Sequence, residues 1–466
     1  MMPLSGHRPA LRTALALAVV AALAGPAHGA VSAATQTRTR TVPRTLAATA
    51  SLGALSGPSR VVRPDFPVGY VGVSWASGRV EAVRFEAAGG WTPWRALEPD
   101  GDGDRGARTY ADLVGGDGAG AFQARGTAGD VRVVALNTTD GPGRPVAAAP
   151  EVTASTAGPA IVTRAGWGAD ESYRFDAGGH EIWHPTFFHL QKMIVHHTDG
   201  SNSSTNWAAD VRAIYYYHAV TRGYGDIAYN YLIDPLGRLY KGRWSGPAGS
   251  RNQSLDTPTA EDARAWSVKA AHAYGANSGT IGVALLGTFS AVSPTAAARA
   301  ELAALFAWKS WRHGIDPTAW STYTNPESGD QWFTANIGGH RDYVATDCPG
   351  DVLYGQLPAI RGAVAAALED WSGPPGAPML SARRATGGVR LAWTAPVADG
   401  GNPITEYRVY RGTSTGQESL LATVSGATLT HFDTATERFH RYVYEVAAVT
   451  VAGEGPPSEE VSARAG

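Results

Sequence analysis

The hydrophobic period of this chain changes twice, and each change falls at a stretch rich in proline and glycine. From Val61 to about Leu136, apolar and polar residues alternate in "YVGVSW", "RVEAVRFEA", "TPWRAL" and "VRVVAL", with Gly/Asp turns between them. Strict alternation marks strands with one buried face. After "DGPGRPVAAAPEVTASTAGPA" a helical period takes over from about Ile161 to Ser372, and after "SGPPGAP" the alternation returns. One packed layer cannot satisfy both periods, so the chain must be multidomain, as its 466 residues also require.

The expected organisation follows from these changes. A signal peptide covers 1–33, a Thr/Ala-rich flexible tether 34–56, a β-sandwich-like domain 57–140 and a linker 141–160. An α/β domain with a mixed central sheet flanked by helices occupies 161–372, and a second β-sandwich 373–466. The signal rests on His7, Arg8 and Arg12 before "TALALAVVAALAG", with small residues and a cleavage point near Gly29, Ala30 or Ala33. The run is too short to span a bilayer; a retained short anchor is the alternative. Secretion is expected, with no stable membrane insertion. A net charge of −2 gives no support to nucleic-acid binding, and a monomer is expected. "DGDGDRG" (100–106) spaces three aspartates like the start of a calcium loop, but lacks the glycine and closing glutamate, so a solvated turn is favoured.

In the central region, Trp207, Val211, Ile214, Tyr215 and His218 share one helical face, with Gly223 as a stop. A second helix is expected from Ser293 (N-cap) and Pro294 to Gly314, and a third over "LPAIRGAVAAALEDW". Strands are expected at "MIVHH", at "YNYLID" with "RLYKGR" across the turn "PLG", and at "TIGVALLG".

Cys348 is the only cysteine, so an exported chain would carry an unpaired thiol with no internal disulfide. Metal ligation would account for it. His196 and His197 stand side by side, and His340 lies eight residues before Cys348. His and Cys are zinc ligands, and a catalytic site uses three of them. Spacing alone leaves an inert buried cysteine equally open. A blue-copper site wants a nearby axial Met, and past the first two positions only Met193 and Met379 occur. Strand side chains alternate in direction, so His196 and His197 cannot both reach one metal.

Five blocks in order carry a resemblance: "TRAGWGAD", "IVHHTD", "YHAVTRGYGDIAYNYLID", "AHAYGANSGTIGVALLG" and "GGHRDYVATDCPG". Together they make 161–372 similar to the zinc-dependent N-acetylmuramoyl-L-alanine amidases that share a fold with peptidoglycan recognition proteins and phage lysozyme-type amidases. The resemblance implies one Zn2+ per chain, held by His196, His340 and Cys348. It implies Tyr229 beside the reacting carbonyl, Thr346 at the developing oxyanion, and His272 with Asn277 on the substrate side. It also implies bacterial peptidoglycan or its muropeptides as partner. Receptors of this family without activity typically lack the cysteine, so retention of Cys348 and Tyr229 points to an enzyme. The C-terminal segment, with Trp393, Tyr407 and "YVYEVAAV", resembles a fibronectin type III domain, Tyr442 falling at its tyrosine corner.

The resemblance has departures. Ala228 and Asn230 stand where relatives usually carry Gly and His, which could alter a substrate subsite, and the connection 245–270 is long enough for a lid. His218 is expected in the core rather than at the metal, and no role is assigned to His180, His184 or His189. Three readings result: a secreted zinc amidase of the cell wall, a peptidoglycan-binding protein with little or no turnover, and a zinc hydrolase of another amide.

Overall fold

A computed structural model describes residues 39–99, 108–147, 158–246, 260–262 and 264–466. The expected signal peptide and the Asp100–Gly106 turn lie outside the described residues, as does most of the 245–270 connection. Among the described residues no helix is long and apolar enough to cross a membrane.

The central domain is built on a six-stranded mixed sheet. Its strand order is Ile161–Val162, Leu239–Lys241, Tyr231–Ile233, Thr280–Leu285, Lys192–His197 and Ile337–Gly339. All neighbours are parallel except the hairpin pair Tyr231–Ile233 and Leu239–Lys241. A short α1 (Arg164–Trp167) opens the domain and α2 (Trp207–Tyr216) follows the strand Lys192–His197. The helices α3 (Ala296–His313) and α4 (Asp351–Glu369) come later.

Period two along the strands sorts their side chains between layers. Met193, Val195, Ile281 and Val283 meet α3 and α4 through Leu302, Phe306, Leu357 and Ile360. On the other face Leu232, Ala284 and Leu286 pack with the helix residues Trp207, Val211 and Ile214. α2 starts at the N-cap Asn206, whose side chain accepts from Ala209 N, and runs through a π turn (Tyr217–Thr221) to Gly223. The expected N-cap of α3 needs correction. Thr295, not Ser293, is extended and accepts from Ala298 N, while Ser293 takes Arg299 instead. Gly314 ends that helix at φ 69°, a conformation that costs glycine little.

The N-terminal region is β as expected; two of its strands form a separate pair, and eight more are hydrogen-bonded into one continuous sheet. The long strand Ala121–Asn137 is its spine and pairs with Leu46–Pro58, Val68–Trp75 and Ser77–Ala87. Its core holds Val71, Val73, Phe85, Phe122 and Val133. The expected tether is therefore corrected. Residues 39–43 pair with 143–147, inside the expected linker, and 46–58 form a sheet strand. Small Thr, Ala and Ser side chains made this strand look structureless; backbone pairing rather than bulk holds it.

This sheet covers the outer side of α2. Leu113, Val134 and Leu136 enter the same core as Trp167, Val211 and Tyr217. A Cβ on Gly72 would stand 2.3 Å from the Tyr217 ring, and the Tyr217 hydroxyl donates to Ala111 O at 2.7 Å. The side chain at that position is absent because the ring occupies its space.

The C-terminal domain pairs a three-stranded sheet with a second sheet around Trp393, Tyr407 and Tyr444. The Tyr442 hydroxyl accepts from Glu437 N at 3.0 Å, the bond expected of a tyrosine corner. The domain is fastened to the central one by buried charge. His313 of α3 lies between Glu261 at 2.9 Å and Glu459 at 2.5 Å, and Lys309 reaches Glu261 at 2.6 Å. Burial alone would raise the Glu261 pKa, but Lys309, His313 and Arg312 outweigh it and hold the carboxyl well below its usual range. A carboxyl depressed in this way adds stability above its unfolded pKa, and the contribution is lost as pH falls through the folded value. Glu261→Gln should lower stability at neutral pH by about 3–5 kcal/mol, because it strands buried cations. Denaturant unfolding at pH 7 and pH 3 should show the difference narrowing in acid; an equal loss at both would contradict the ion pairing.

Candidate metal centre and active site

The three residues proposed as ligands come from two strand ends and a loop. His196 sits near the C-terminal end of Lys192–His197, and His340 directly follows Ile337–Gly339, its parallel neighbour. Cys348 ends the loop after His340. That loop is closed by Arg341, whose backbone N–H donates to Cys348 O at 3.1 Å and whose guanidinium donates to Asp347 O. One donor atom from each of the three residues lies within 4.8 Å of the other two, and all three residues are buried.

The donor set fits a zinc ion. Ideal Zn–N and Zn–S bonds meeting tetrahedrally put N and S roughly 3.6 Å apart, and His196 Nδ1 lies 3.7 Å from Cys348 Sγ. Burial first, then the neighbouring His340, His272 and His197, drives the His196 pKa well below its usual value. The ring is therefore neutral, the form that coordinates metal. The His340 ring lies 4.4 Å from that of His196.

His197 points to the other face, where its Nδ1 accepts from Phe289 N at 3.3 Å. Burial pushes its pKa down to about 4. Its backbone N–H donates to Cys348 Sγ at 3.4 Å. The neighbour of His196 thus serves the sulfur through its main chain.

Tyr229 is almost buried, its ring 5.3 Å from His196 and 5.6 Å from His218. A charged hub behind it fixes the segment. Asp226 accepts from Arg164 at 2.9 Å, Arg243 at 2.7 Å, Ile227 N at 2.8 Å and Trp244 N at 2.8 Å. Arg243 N then donates to Tyr229 O at 2.8 Å. The hub escaped the sequence reading, although Arg164 and Asp226 both lie within quoted blocks; only the fold reveals that they meet. Thr346 is half-buried at the mouth of the loop, its Oγ1 accepting from Cys348 N at 3.2 Å.

His272 requires a correction. A cleft histidine was expected; the side chain is fully buried, with Nδ1 3.1 Å from His196 Nε2. It stacks over Gly282, where a Cβ would lie 2.3 Å from the ring, and its Nε2 is 3.3 Å from Thr280 Oγ1. It backs His196 instead of lining an open cleft. Asn277 Oδ1 is also engaged, accepting from His272 N at 2.7 Å and Ala273 N at 2.8 Å. Ala228 and Asn230, the departures thought to alter a subsite, are buried as well. Asn230 bridges Gly282 N and Val268 O, a backbone clamp. His218 is a core histidine that accepts from Ala228 N at 3.1 Å, as expected. His180 and His184 are exposed, beside Asp176 and Glu181, and His189 meets Glu459.

Residues 189–351 match the family described as N-acetylmuramoyl-L-alanine amidase, and 373–464 match the fibronectin type III domain. The chain carries an amidase-family domain. The human N-acetylmuramoyl-L-alanine amidase is 30% identical over 205 residues, 43% of this chain and 28% of the relative. Peptidoglycan-recognition protein SC2 of Drosophila simulans is 26% identical over 171 residues, 36% of this chain and 73% of the relative. The crystal structure of Drosophila peptidoglycan recognition protein SD is 22% identical, with a TM-score of 0.30, and covers 43% of this chain and 93% of that one. The chain spans under a third of the length of the first two curated amidases that it matches.

In the amidase-family domain a histidine that orients a ligand should act on affinity for the metal. His272→Leu keeps bulk over Gly282 but removes the bond to His196. Zinc affinity, read by chelator competition, should fall about 10- to 100-fold while the metal-free protein stays folded. An unchanged affinity would remove the orienting role.

Proposed function

We propose that this protein is a secreted zinc-dependent hydrolase that cleaves the amide bond between N-acetylmuramic acid and the L-alanine of the stem peptide in bacterial peptidoglycan. The observation that carries this reading is the buried set His196, His340 and Cys348 with Tyr229 beside it. A zinc ion in such a set supplies water acidified towards neutral pH and a Lewis acid for the scissile carbonyl.

The chain's own residues do the rest. His196 stays neutral because protonating it would bury a charge among other imidazoles. His272 and the backbone N–H of His197 hold ligand atoms in place, so nothing reorganises as charge develops. Thr346 accepts from Cys348 N, which leaves its hydroxyl proton available for an oxyanion. Tyr229, braced through Asp226, is the second hydroxyl for that role. Retention of Cys348 and Tyr229 favours turnover over binding alone.

The purified chain should contain about one zinc and convert purified wall to glycan strands plus free peptides beginning with L-alanine, as read by mass spectrometry. Cys348→Ser should abolish release and lower bound zinc while leaving the fold intact. Tyr229→Phe should lower kcat about 10²- to 10³-fold with a smaller effect on KM. Full zinc content with no peptide released would leave the binding protein as the better reading, and cleavage of unrelated acyl-amides alone would favour another hydrolase.

A further inference from the structure

The N-terminal sheet covers α2 and also supplies one wall of a cavity. A space of about 340 Å³ opens where its edge meets the segment from Thr198 to Trp207. Tyr70, Asp117 and Thr139 line it from the N-terminal domain, Ser203 and Asp210 from the amidase-family domain. The two walls are tied together by the Tyr70 hydroxyl donating to Asp210 and by Thr138 Oγ1 donating to Ala209 O at 2.9 Å.

Its position joins it to the metal centre. Thr198 lies only two residues beyond His196, at most roughly 7 Å along an extended chain. Leu286 and Gly287, at the end of the adjacent parallel strand, line the same space. Cavity and candidate ligand cluster therefore both lie at the C-terminal ends of these parallel strands.

Its chemistry selects an occupant. Hydroxyl, amide and carboxylate groups share the lining with apolar residues such as Leu113 and Ile214, and no Lys, Arg or His is among the lining residues. Asp117 and Asp210 are the charged residues of the lining, held by Arg95 at 3.0 Å and by the Tyr70 hydroxyl, so a peptide carboxylate gains no cation from the lining itself. A neutral N-acetylated sugar matches both features, with hydroxyl and acetamido groups for the polar residues and a ring face for the apolar ones.

We propose that this groove is a glycan subsite built jointly by the N-terminal β domain and the amidase-family domain. It takes uncharged N-acetylamino-sugar residues of a strand whose stem peptide enters the metal centre. The inference rests on the peptidoglycan reading above and adds that the N-terminal domain recognises substrate.

Thr139→Trp fills the groove from the N-terminal domain and Ser203→Trp from the opposite wall; both side chains are exposed, and neither belongs to the metal centre. The probe is the β-1,4-linked N-acetylglucosamine tetramer, titrated calorimetrically into the full chain. Each substitution should weaken its binding about ten-fold, the loss of one or two hydrogen bonds. On glycan-intact wall, kcat/KM should fall by a similar factor, while a single-sugar N-acetylmuramoyl peptide is cleaved at nearly the wild-type rate. Unchanged tetramer binding, or an equal loss on both substrates, would overturn the proposal. Tetramer binding that the substitutions weaken, in a wild-type protein that releases no peptide, would sink the amidase reading and leave the groove standing. Peptide release without tetramer binding would do the reverse. If one variant does not fold, as judged by its thermal midpoint, the other reports on the same groove.

Discussion

Asp226 is a fully buried carboxylate shared by two fully buried guanidiniums, and the geometry of the cleft depends on it. Burial opposes its ionisation, but Arg164 and Arg243 outweigh burial and hold its pKa below the usual value. Each partner brings a different piece of chain: Arg164 the opening turn, Arg243 the end of the hairpin, and Asp226 the approach to Tyr229. Such a cluster is a poor source of net stability, since desolvation offsets most of the attraction. It is a strong source of geometry, because any shift would leave a charge without a partner where water does not reach. The hub therefore explains how Tyr229, on an irregular stretch before a three-residue strand, is held beside His196.

The same logic extends to the domain contacts. α2 is buried on both sides, by the central sheet and by the N-terminal sheet. On the opposite side the fibronectin domain contributes Glu459, which receives His189, His313 and the backbone N–H of Leu190. Small buried contacts of this kind set a fixed angle. The wall that the N-terminal domain supplies to the proposed groove is tied to α2 by such bonds, from Tyr70 to Asp210 and from Thr138 to Ala209 O.

What could be read from sequence divides along physical lines. The candidate cluster was legible because zinc demands particular side chains and ordered blocks pointed to one histidine of the pair, and His196, His340 and Cys348 do come together. The helices α2 and α3 were legible from apolar spacing and from Gly223 and Gly314. The strand 46–58 was not, because its Ala, Ser and Thr residues bury little; its partner, the 121–137 strand, supplies the hydrogen bonds. His272 was placed in the right neighbourhood but on the wrong side of the ligand. Block order specifies position along the chain, whereas Gly282 beneath the ring decides which way it faces. The charged contacts at Asp226 and Glu261 join residues far apart in sequence, and no local period marks them.

The histidine pair shows how one rule produces both the layers and the site. Period two puts His196 on the α2 face with Tyr229, and His197 on the α3–α4 face with Phe289. A second imidazole turned toward the metal would require breaking the strand that aligns His196 with Ala284. The chain keeps the strand and uses the backbone of His197 for the remaining ligand, its N–H meeting Cys348 Sγ. Adjacent histidines thus serve a single centre through different atoms. Substituting the His197 side chain would disturb mainly the contact at Phe289 N, whereas substituting His196 would remove a donor from the candidate metal cluster.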